Sequence, residues 1–350
     1  MMDRELVIES FRFQARASTD AGSPIYAELL DRAADDIATD GPLTAVVDGF
    51  EGHPILLALP LRVMGAIHRI ALDGRAAALA ANYPSTGGRF EPERAWRALL
   101  DVVRAHADEI RASLGANVQT NEVRRSAALL GGFLRAAHET GLPLRLREVG
   151  SSAGLNLGWD RYRYELGPHR WGDSKAPLVL TAEWSGGAPD LDAQVRVASR
   201  AGCDVAPIDA RDPEARRRLE SFVWPEQIDR LALLREALAL VAADPPRIDA
   251  MPAGAWLARE VAAPSRGEAT VVFHSVVWWY IPKDERERIA DVMETAGGSA
   301  TREAPLAWLR MEGSDPSPRG AELRLRIWPG GDDHLLARVH WHGRSIEWLG

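Results

Sequence analysis

The sequence predicts an α/β protein: a mainly helical region over 1–140, then over 141–350 a Rossmann-like sheet, mostly parallel, with antiparallel strands at its C-terminal end. Three observations carry this. Up to about residue 140, apolar residues recur at helical three- and four-residue spacing. From Leu144, short β-type runs alternate with helical runs, the pattern of parallel strands joined by crossovers. After Leu306 the β-type runs succeed one another with no gap long enough for a helix.

Ile25, Tyr26, Leu29, Leu30, Ala33 and Ile37 mark one helix face. Trp96, Leu99, Leu100, Val103, Ala107 and Ile110 mark another, behind Pro92, a residue suited to a first helical turn. The apolar stretch from Pro54 to Leu72 fits either a helix or a buried strand. Thr120 is placed to cap a helix running through Leu129, Leu130 and Phe133 and stopped near Gly141. Leu144 to Val149 reads as the first strand, with a helix starting at Ala153 to Leu157. The segment of about 159–190 is longer than a minimal crossover needs and reads as an insertion. Val195 to Ser199 is the second strand; Pro213 to Glu220 and Leu231 to Val241 are helices. Arg247 to Ala250 reads as a third strand end. Ala269 to Trp279 is the most apolar strand and therefore central and covered on both faces. Pro282 to Ala296 is its crossover helix. Leu306 to Met311, Leu323 to Trp328, Leu335 to Trp341 and Ser345 to Trp348 complete the sheet, with Gly330-Gly331 and Gly343 at turns.

Composition narrows the function classes. The net charge is -8, and no dense basic run offsets it, so a nucleic-acid partner is not expected. The only cysteine is Cys203, which rules out an internal disulfide and a cysteine-based zinc cluster. No run of about 18 apolar residues is present, so no membrane span is expected. Nor is there an apolar signal core behind Met1, and a cytoplasmic protein acting on a small molecule is the expectation. Of 12 tryptophans only Trp96 precedes residue 150; the rest build either the core of the second region or an indole-lined cleft.

The chemistry concentrates at Glu148-Val-Gly150-Ser151-Ser152-Ala-Gly154-Leu-Asn156, directly behind the first strand. Glycines there let a ligand approach backbone, and a helix start offers free N–H groups. A hydrophobic strand, an acidic residue and then glycines resembles the first motif of class I S-adenosylmethionine (SAM) methyltransferases, with Ser152 in place of the middle glycine and Arg147 at a normally apolar strand position. Asp204, at the end of the next strand, resembles the acidic residue of the second motif, which holds the ribose diol, with Asp209 in reserve. Asp249 falls at the third strand end, near the adenine. His274 falls where such enzymes place residues close to the methyl group. The resemblance implies SAM as cofactor, held by Glu148, Gly150, Ser151, Ser152, Gly154, Asn156, Asp204 and Asp249, with His274, Tyr162 and Tyr164 on the acceptor side.

Other readings of the same residues stay open. Gly150-Ser151-Ser152-Ala153-Gly154 spells the G-x-S-x-G elbow of a serine hydrolase, with Ser152 as nucleophile, His334, His340 or His342 as base and Asp284 or Asp291 orienting it. The helical 1–140 region argues against this, since such hydrolases place several strands before the elbow. A dinucleotide oxidoreductase would need G-x-G-x-x-G and an acidic residue about 20 positions on, and neither is present. A non-catalytic ligand-binding protein is the third class. Tyr162 and Tyr164 line a pocket mouth or are surface aromatics of the insertion. His274 is a reactive group or a hydrogen-bonded core histidine, and Trp278, Trp279 and Tyr280 stack on a substrate or pack. Asn121 and Glu122 sit at a helix start, which accounts for the glutamate, the other reading being a role in lidding the cofactor. His340 and His342 share a strand face, but their spacing is too common to indicate a metal.

Over nearly its whole length the chain resembles the bacterial family known as domain of unknown function 2332. The carrying residues are Gln119 to Glu122, Glu148 to Leu157, Asp160 to Tyr164, Arg200 to Asp209, Trp224-Pro225 and His342-Gly343. The resemblance implies a methyltransferase-like fold and leaves the substrate open.

Overall fold

The computed structural model describes residues 4–313 and 320–350. In chain order the elements are helices α1 (Arg4–Asp20), α2 (Pro24–Ala38), α3 (Thr44–Val47), α4 (Leu59–Leu72), α5 (Ala77–Ala80), α6 (Pro92–Ser113) and α7 (Ser126–Thr140). Strands β1 (Leu144–Val149), β2 (Arg163–Leu166), β3 (His169–Trp171), β4 (Val179–Gly186) and β5 (Val197–Asp204) come next. Then come α8 (Pro213–Ser221), α9 (Ile228–Ala243), β6 (Arg247–Ala250), α10 (Ala253–Glu260), β7 (Ala269–Ser275) and α11 (Lys283–Gly298). The chain ends with β8 (Leu306–Gly313), β9 (Ala321–Trp328), β10 (Asp333–Val339) and β11 (Ser345–Trp348). They form two compact units. One holds the described residues up to Thr120 together with Arg211–Arg235; the other holds Asn121–Ala210 and Glu236–Gly350.

In the helical unit the apolar stripe of α2 is fully buried from Ile25 to Ile37 and packs on α1. The ambiguous stretch before Leu72 is helical: Pro60 occupies the first turn of α4, and the 14 residues are too long for an ordinary strand. The segment 211–235 joins this unit because α8 lies on α4 and the Phe222 ring packs onto Gly65, where a Cβ would come within 2.8 Å of it. Pro92 opens α6 as expected, and Glu91 caps it by accepting the N–H of Arg94 at 2.8 Å.

The second unit is built on one 11-stranded sheet, ordered β3-β2-β4-β11-β10-β9-β8-β7-β1-β5-β6. β1 lies parallel to both β5 and β7, and β7 is parallel to β8. β8 to β11 are successively antiparallel, which is the expected C-terminal tail. The insertion supplies β2, β3 and β4, which extend the same sheet beyond β11. α7 belongs to this unit rather than to the helical one. It is buried almost to its end and covers β7 to β10. Gly131 and Gly132 let Trp348 and Leu309 reach its backbone, where a Cβ would sit 2.3 and 2.2 Å from them.

Several boundaries differ from expectation. α7 begins at Ser126, after a 3-10 turn at Val123–Arg125, and Thr120 does not cap it. β5 runs on to Asp204 instead of ending at Ser199, because it pairs with β1 and β6 over that length. β7 stops at Ser275, since Val276 turns into the left-handed region (φ 50°) and Trp278–Tyr280 forms a 3-10 turn.

Candidate ligand site at the ends of β1, β5 and β7

From β1 the chain crosses to β5 and outward to β6, then returns to β7 on the other side of β1. The strand order therefore reverses between β1 and β7, and open α/β sheets bind ligands in the crevice beyond the strand ends at such a point. Register brings Glu148, Asp204, Asp249 and His274 to that one edge: Glu148 pairs with Phe273, Cys203 with Asp249 and Asp204 with Ala250.

The loop after β1 is left-handed at Gly150 (φ 68°), Ser152 (φ 51°) and Gly154 (φ 77°). Gly150 and Gly154 are required sterically as well: a Cβ would lie 2.5 Å from Val277 and 2.7 Å from Pro246. Ser152 instead carries the left-handed conformation against a cost of about 1 kcal/mol. The loop N–H groups are consumed locally. Gly150 and Ser151 donate to the Cys203 carbonyl at 2.9 and 3.0 Å, and Gly154 to the Ser151 carbonyl at 2.7 Å. Ser152 donates to Asp204 Oδ2 at 2.9 Å, and Ala153 and Leu155 share Asn121 Oδ1 at 3.2 Å each. Asn121 thus latches the loop from below. The close approach of the loop to β5 explains Gly202, whose Cβ would sit 2.3 Å from Ser151 Oγ.

No α-helix succeeds the loop, contrary to expectation; Leu155–Arg161 is 3-10. Tyr162 and Tyr164 supply the reason. Each is buried, and their hydroxyls donate to the carbonyls of Leu155 at 2.6 Å and Trp159 at 2.7 Å, acceptors that an α-helix would use itself. The two tyrosines therefore do not line a pocket mouth, nor are they surface aromatics. Tyr162→Phe is expected to cost about 1 kcal/mol, because it removes a buried hydrogen bond. Urea denaturation measures this, while a role on the acceptor would instead appear as lost turnover at unchanged stability.

Glu148 is buried at the end of β1, and Ser126 Oγ donates to Asn156 Oδ1 at 2.7 Å, which turns the Asn156 amide N–H toward the Glu148 carboxyl. Among the described residues the second carboxyl oxygen, Oε2, has no partner, and the Ser152 hydroxyl beyond it has none either. Burial foremost, and then the charge of Asp204, holds Glu148 well above the usual carboxylate range, against Asn156 and Arg125. Asp204 is half-buried. Its Oδ2 takes the Ser152 N–H and its Oδ1 the Ala206 N–H, each at 2.9 Å. Asp209 lies exposed in the loop beyond.

Two expected site residues are engaged elsewhere. Asp249 accepts the Trp256 indole N–H at 2.8 Å and an N–H of Arg259, and Arg247 lies 3.6 Å away. Burial raises its pKa, but these donors outweigh burial and the net shift is downward. The side chain is thus turned to α10 and not to an adenine. His274 is buried beneath Trp278, stacked at 5.1 Å between ring centroids. The Trp308 indole can only donate and reaches Nε2 at 3.2 Å, so Nδ1 carries the ring proton and donates to Glu312 at 2.6 Å. Glu312 also takes the N–H groups of Val277 and Trp278. His274 therefore fastens the 276–280 turn to β8 as a hydrogen-bonded core residue. Past it, Trp279 and Tyr280 are exposed at the rim. Glu312, the partner that holds the 276–280 turn, has no local sequence signal, whereas Asn121 stands out in the sequence by its place at a helix start but not as the acceptor for this loop.

The hydrolase geometry is not formed, because among the described residues no histidine contacts the Ser152 hydroxyl and Asp284 and Asp291 lie exposed on α11. His334 lines a cavity of about 520 Å³ with Arg135 and Trp328, at the opposite end of the sheet. A second cavity, of about 470 Å³, runs along β4, β11, β10 and β9 beside His340. The His342 N–H donates to His340 Nδ1 at 3.1 Å, and among the described residues no group of three His, Cys, Asp or Glu is placed to hold a metal ion. Among the described residues no helix is long and apolar enough to cross a membrane.

No curated protein and no solved structure matches the chain. A family model, described as an uncharacterized protein conserved in bacteria (DUF2332), matches residues 8–348. With nearly the whole length matched, the chain belongs to the DUF2332 family.

Proposed function

We propose that this protein is a SAM-dependent methyltransferase with a small-molecule acceptor, and that the cofactor sits at the reversal point between β1 and β7. The observation that carries the reading is the parallel run β6-β5-β1-β7-β8 with a glycine-bearing loop at the end of its first strand and an aspartate at the end of its second. The residues present fit such a ligand in two respects. A carboxylate offers about four acceptor sites, and Asp204 uses one on each oxygen, leaving one on each for a vicinal diol. Glu148 Oε2 and Ser152 Oγ are buried polar atoms without partners among the described residues, a costly arrangement that a polar ligand relieves.

SAM supplies an electrophilic methyl group. The contribution of the chain is positioning, which is the main need of a direct methyl transfer. Asp204 and the loop it fastens fix the nucleoside end, while Trp279 and Tyr280 at the rim offer exposed rings to a planar acceptor. Asp249 and His274 take no part, since their polar atoms are already paired.

Calorimetric titration of the full chain with SAM and with its demethylated product, alongside a thermal-shift measurement, tests the reading. Saturable heat and a rise in Tm are expected for both ligands. Absence of heat and of a shift at millimolar ligand rejects it.

A further inference from the structure

A cluster of arginines on the sheet face toward α10 takes no part in the proposed methyl transfer. Register aligns Arg147 on β1 with Ala201 on β5, and Ala201 with Arg247 on β6, so the two arginines stand in one row. Arg145 and Asp249, each two residues along its strand, share that face, and α10 brings Arg259 and Glu260 to it. Exposure rises outward: the Arg147 side chain is 7% exposed, those of Arg247 and Arg259 55% each. β6 is the last strand of the sheet, so the outer arginines border an open edge. Glu260 Oε1 accepts from Arg247 Nη2, and Arg259 Nη2 lies 3.4 Å from the same oxygen. Asp249 Oδ2 accepts from Arg259 Nη2, and Arg247 Nη2 lies 3.6 Å from it. Two exposed guanidinium groups are thus held side by side on the same two carboxylate oxygens.

Charge and donors are both in excess there. Among the described residues the four guanidinium groups of Arg145, Arg147, Arg247 and Arg259 meet only two carboxylates, Glu260 and Asp249, which leaves two positive charges over. In a chain of net charge -8 this is a local reversal of sign. Burial lowers Arg147, and Arg145 and Arg247 push it the same way against Glu260, the effect of crowded like charges. A guanidinium carries five N–H donors. Among the described residues Arg247 and Arg259 commit only their Nη2 groups, so Nε and Nη1 of both are available. Planar guanidinium forks match phosphate oxygens two at a time, in charge-assisted hydrogen bonds. We propose that Arg247 and Arg259 form a binding site for a phosphate-type dianion, a phosphate monoester or a diphosphate. Its charge balances the cluster, where a monoanion would leave one charge over, and its oxygens take the uncommitted N–H groups. The site uses none of the residues that hold the cofactor in the methyl-transfer reading, so it stands or falls separately from that reading.

The test is calorimetric titration of the full chain with sodium pyrophosphate and with adenosine monophosphate, each set against sodium chloride at matched ionic strength. Saturable binding of at least one ligand at millimolar concentration is expected, with a rise in Tm that chloride does not reproduce. The tighter of the two tells a bare diphosphate from a nucleotide. Arg247→Gln and Arg259→Gln are each expected to weaken that binding by about 10-fold or more, the loss of at least one charge-assisted hydrogen bond. Both side chains are more than half exposed, and either substitution leaves Arg147 on Glu260 and the Trp256 indole on Asp249, so the variants keep the fold. Their Tm without ligand checks this, and the comparison of wild type with matched chloride needs no variant. No saturable binding of either ligand, a rise in Tm that matched chloride reproduces, or binding that neither substitution weakens each overturns the assignment.

Discussion

Replacing Glu260 with alanine should lower the stability of the sheet unit by about 3–5 kcal/mol, the cost of leaving a buried charge unpaired. Arg147 lies on β1 with 6% of its surface exposed, and Glu260, at the end of α10, with 8%. Arg147 Nε donates to Glu260 Oε2 at 2.8 Å, and Arg145 Nη2 lies 3.4 Å from the same oxygen. Arg247 donates to the other oxygen. Burial, helped by Arg145, lowers the Arg147 guanidinium to about 10, which still leaves it charged at neutral pH. Arg259 Nη2 lies 3.4 Å from that oxygen as well, so one carboxylate serves four guanidinium groups, and without it Arg147 keeps the Leu146 carbonyl and a long contact to Ser199. The same pairing sets a pH dependence. Burial pushes Glu260 up, but Arg147 and Arg247 outweigh it and its pKa ends below 4.5. A carboxyl lowered on folding contributes stability that is present above its unfolded pKa and lost as pH falls through the folded one. Wild type should therefore lose this contribution below about pH 4.5, and Glu260→Gln should lack that acid limb. Urea denaturation at pH 7 and pH 4 reads both effects; a loss under about 1 kcal/mol for Glu260→Ala refutes the assignment of Glu260 as the hub of this cluster.

Arg147 also shows where the sequence stops being legible. A charged residue on a buried strand stands out as an anomaly, yet its partner is 113 residues away on a helix that no local pattern ties to it. Features that depend on neighbours in sequence were readable: the α2 and α6 faces, Leu144 to Val149 as the first strand, the glycine loop and the antiparallel tail. Features that depend on pairing across the fold were not. β5 reaches Asp204 because strands on both sides hold it there, and the insertion becomes sheet because β11 offers β4 an edge. Tyr162 and Tyr164 looked like site residues because they come soon after the loop, but a tyrosine hydroxyl is equally suited to capping a carbonyl, and only the three-dimensional path shows which carbonyl. The same holds for His274 and Asp249. Their place at strand ends was readable from the pattern, and their partners on β8 and α10 decide what they do there.

Asp204→Ala is expected to weaken SAM binding by about 100-fold or more, since two hydrogen bonds to a carboxylate at about 1.5–3 kcal/mol each are removed. The same substitution acts on the free protein. Asp204 holds the N–H of Ser152, a residue kept in the left-handed region, so its loss frees a strained turn and leaves that N–H unbonded. A stability loss of about 1–3 kcal/mol accompanies the affinity loss, and alanine alone cannot separate direct contact from collapse of the loop. Asp204→Asn separates them. Its amide oxygen can still accept the Ser152 N–H. Its NH₂ then faces the exposed Ala206 N–H, which exchanges this acceptor for water, so stability should fall by about 1 kcal/mol or less. That NH₂ cannot accept a ribose hydroxyl. Asparagine should therefore fold like wild type and bind SAM about 10-fold more weakly, the equivalent of one lost hydrogen bond. If asparagine binds as tightly as aspartate while alanine does not, Asp204 is a latch for the loop and touches no diol. The nucleoside end would then have to be held by Glu148 and Ser152, whose buried oxygens are the unpartnered ones among the described residues at this strand edge.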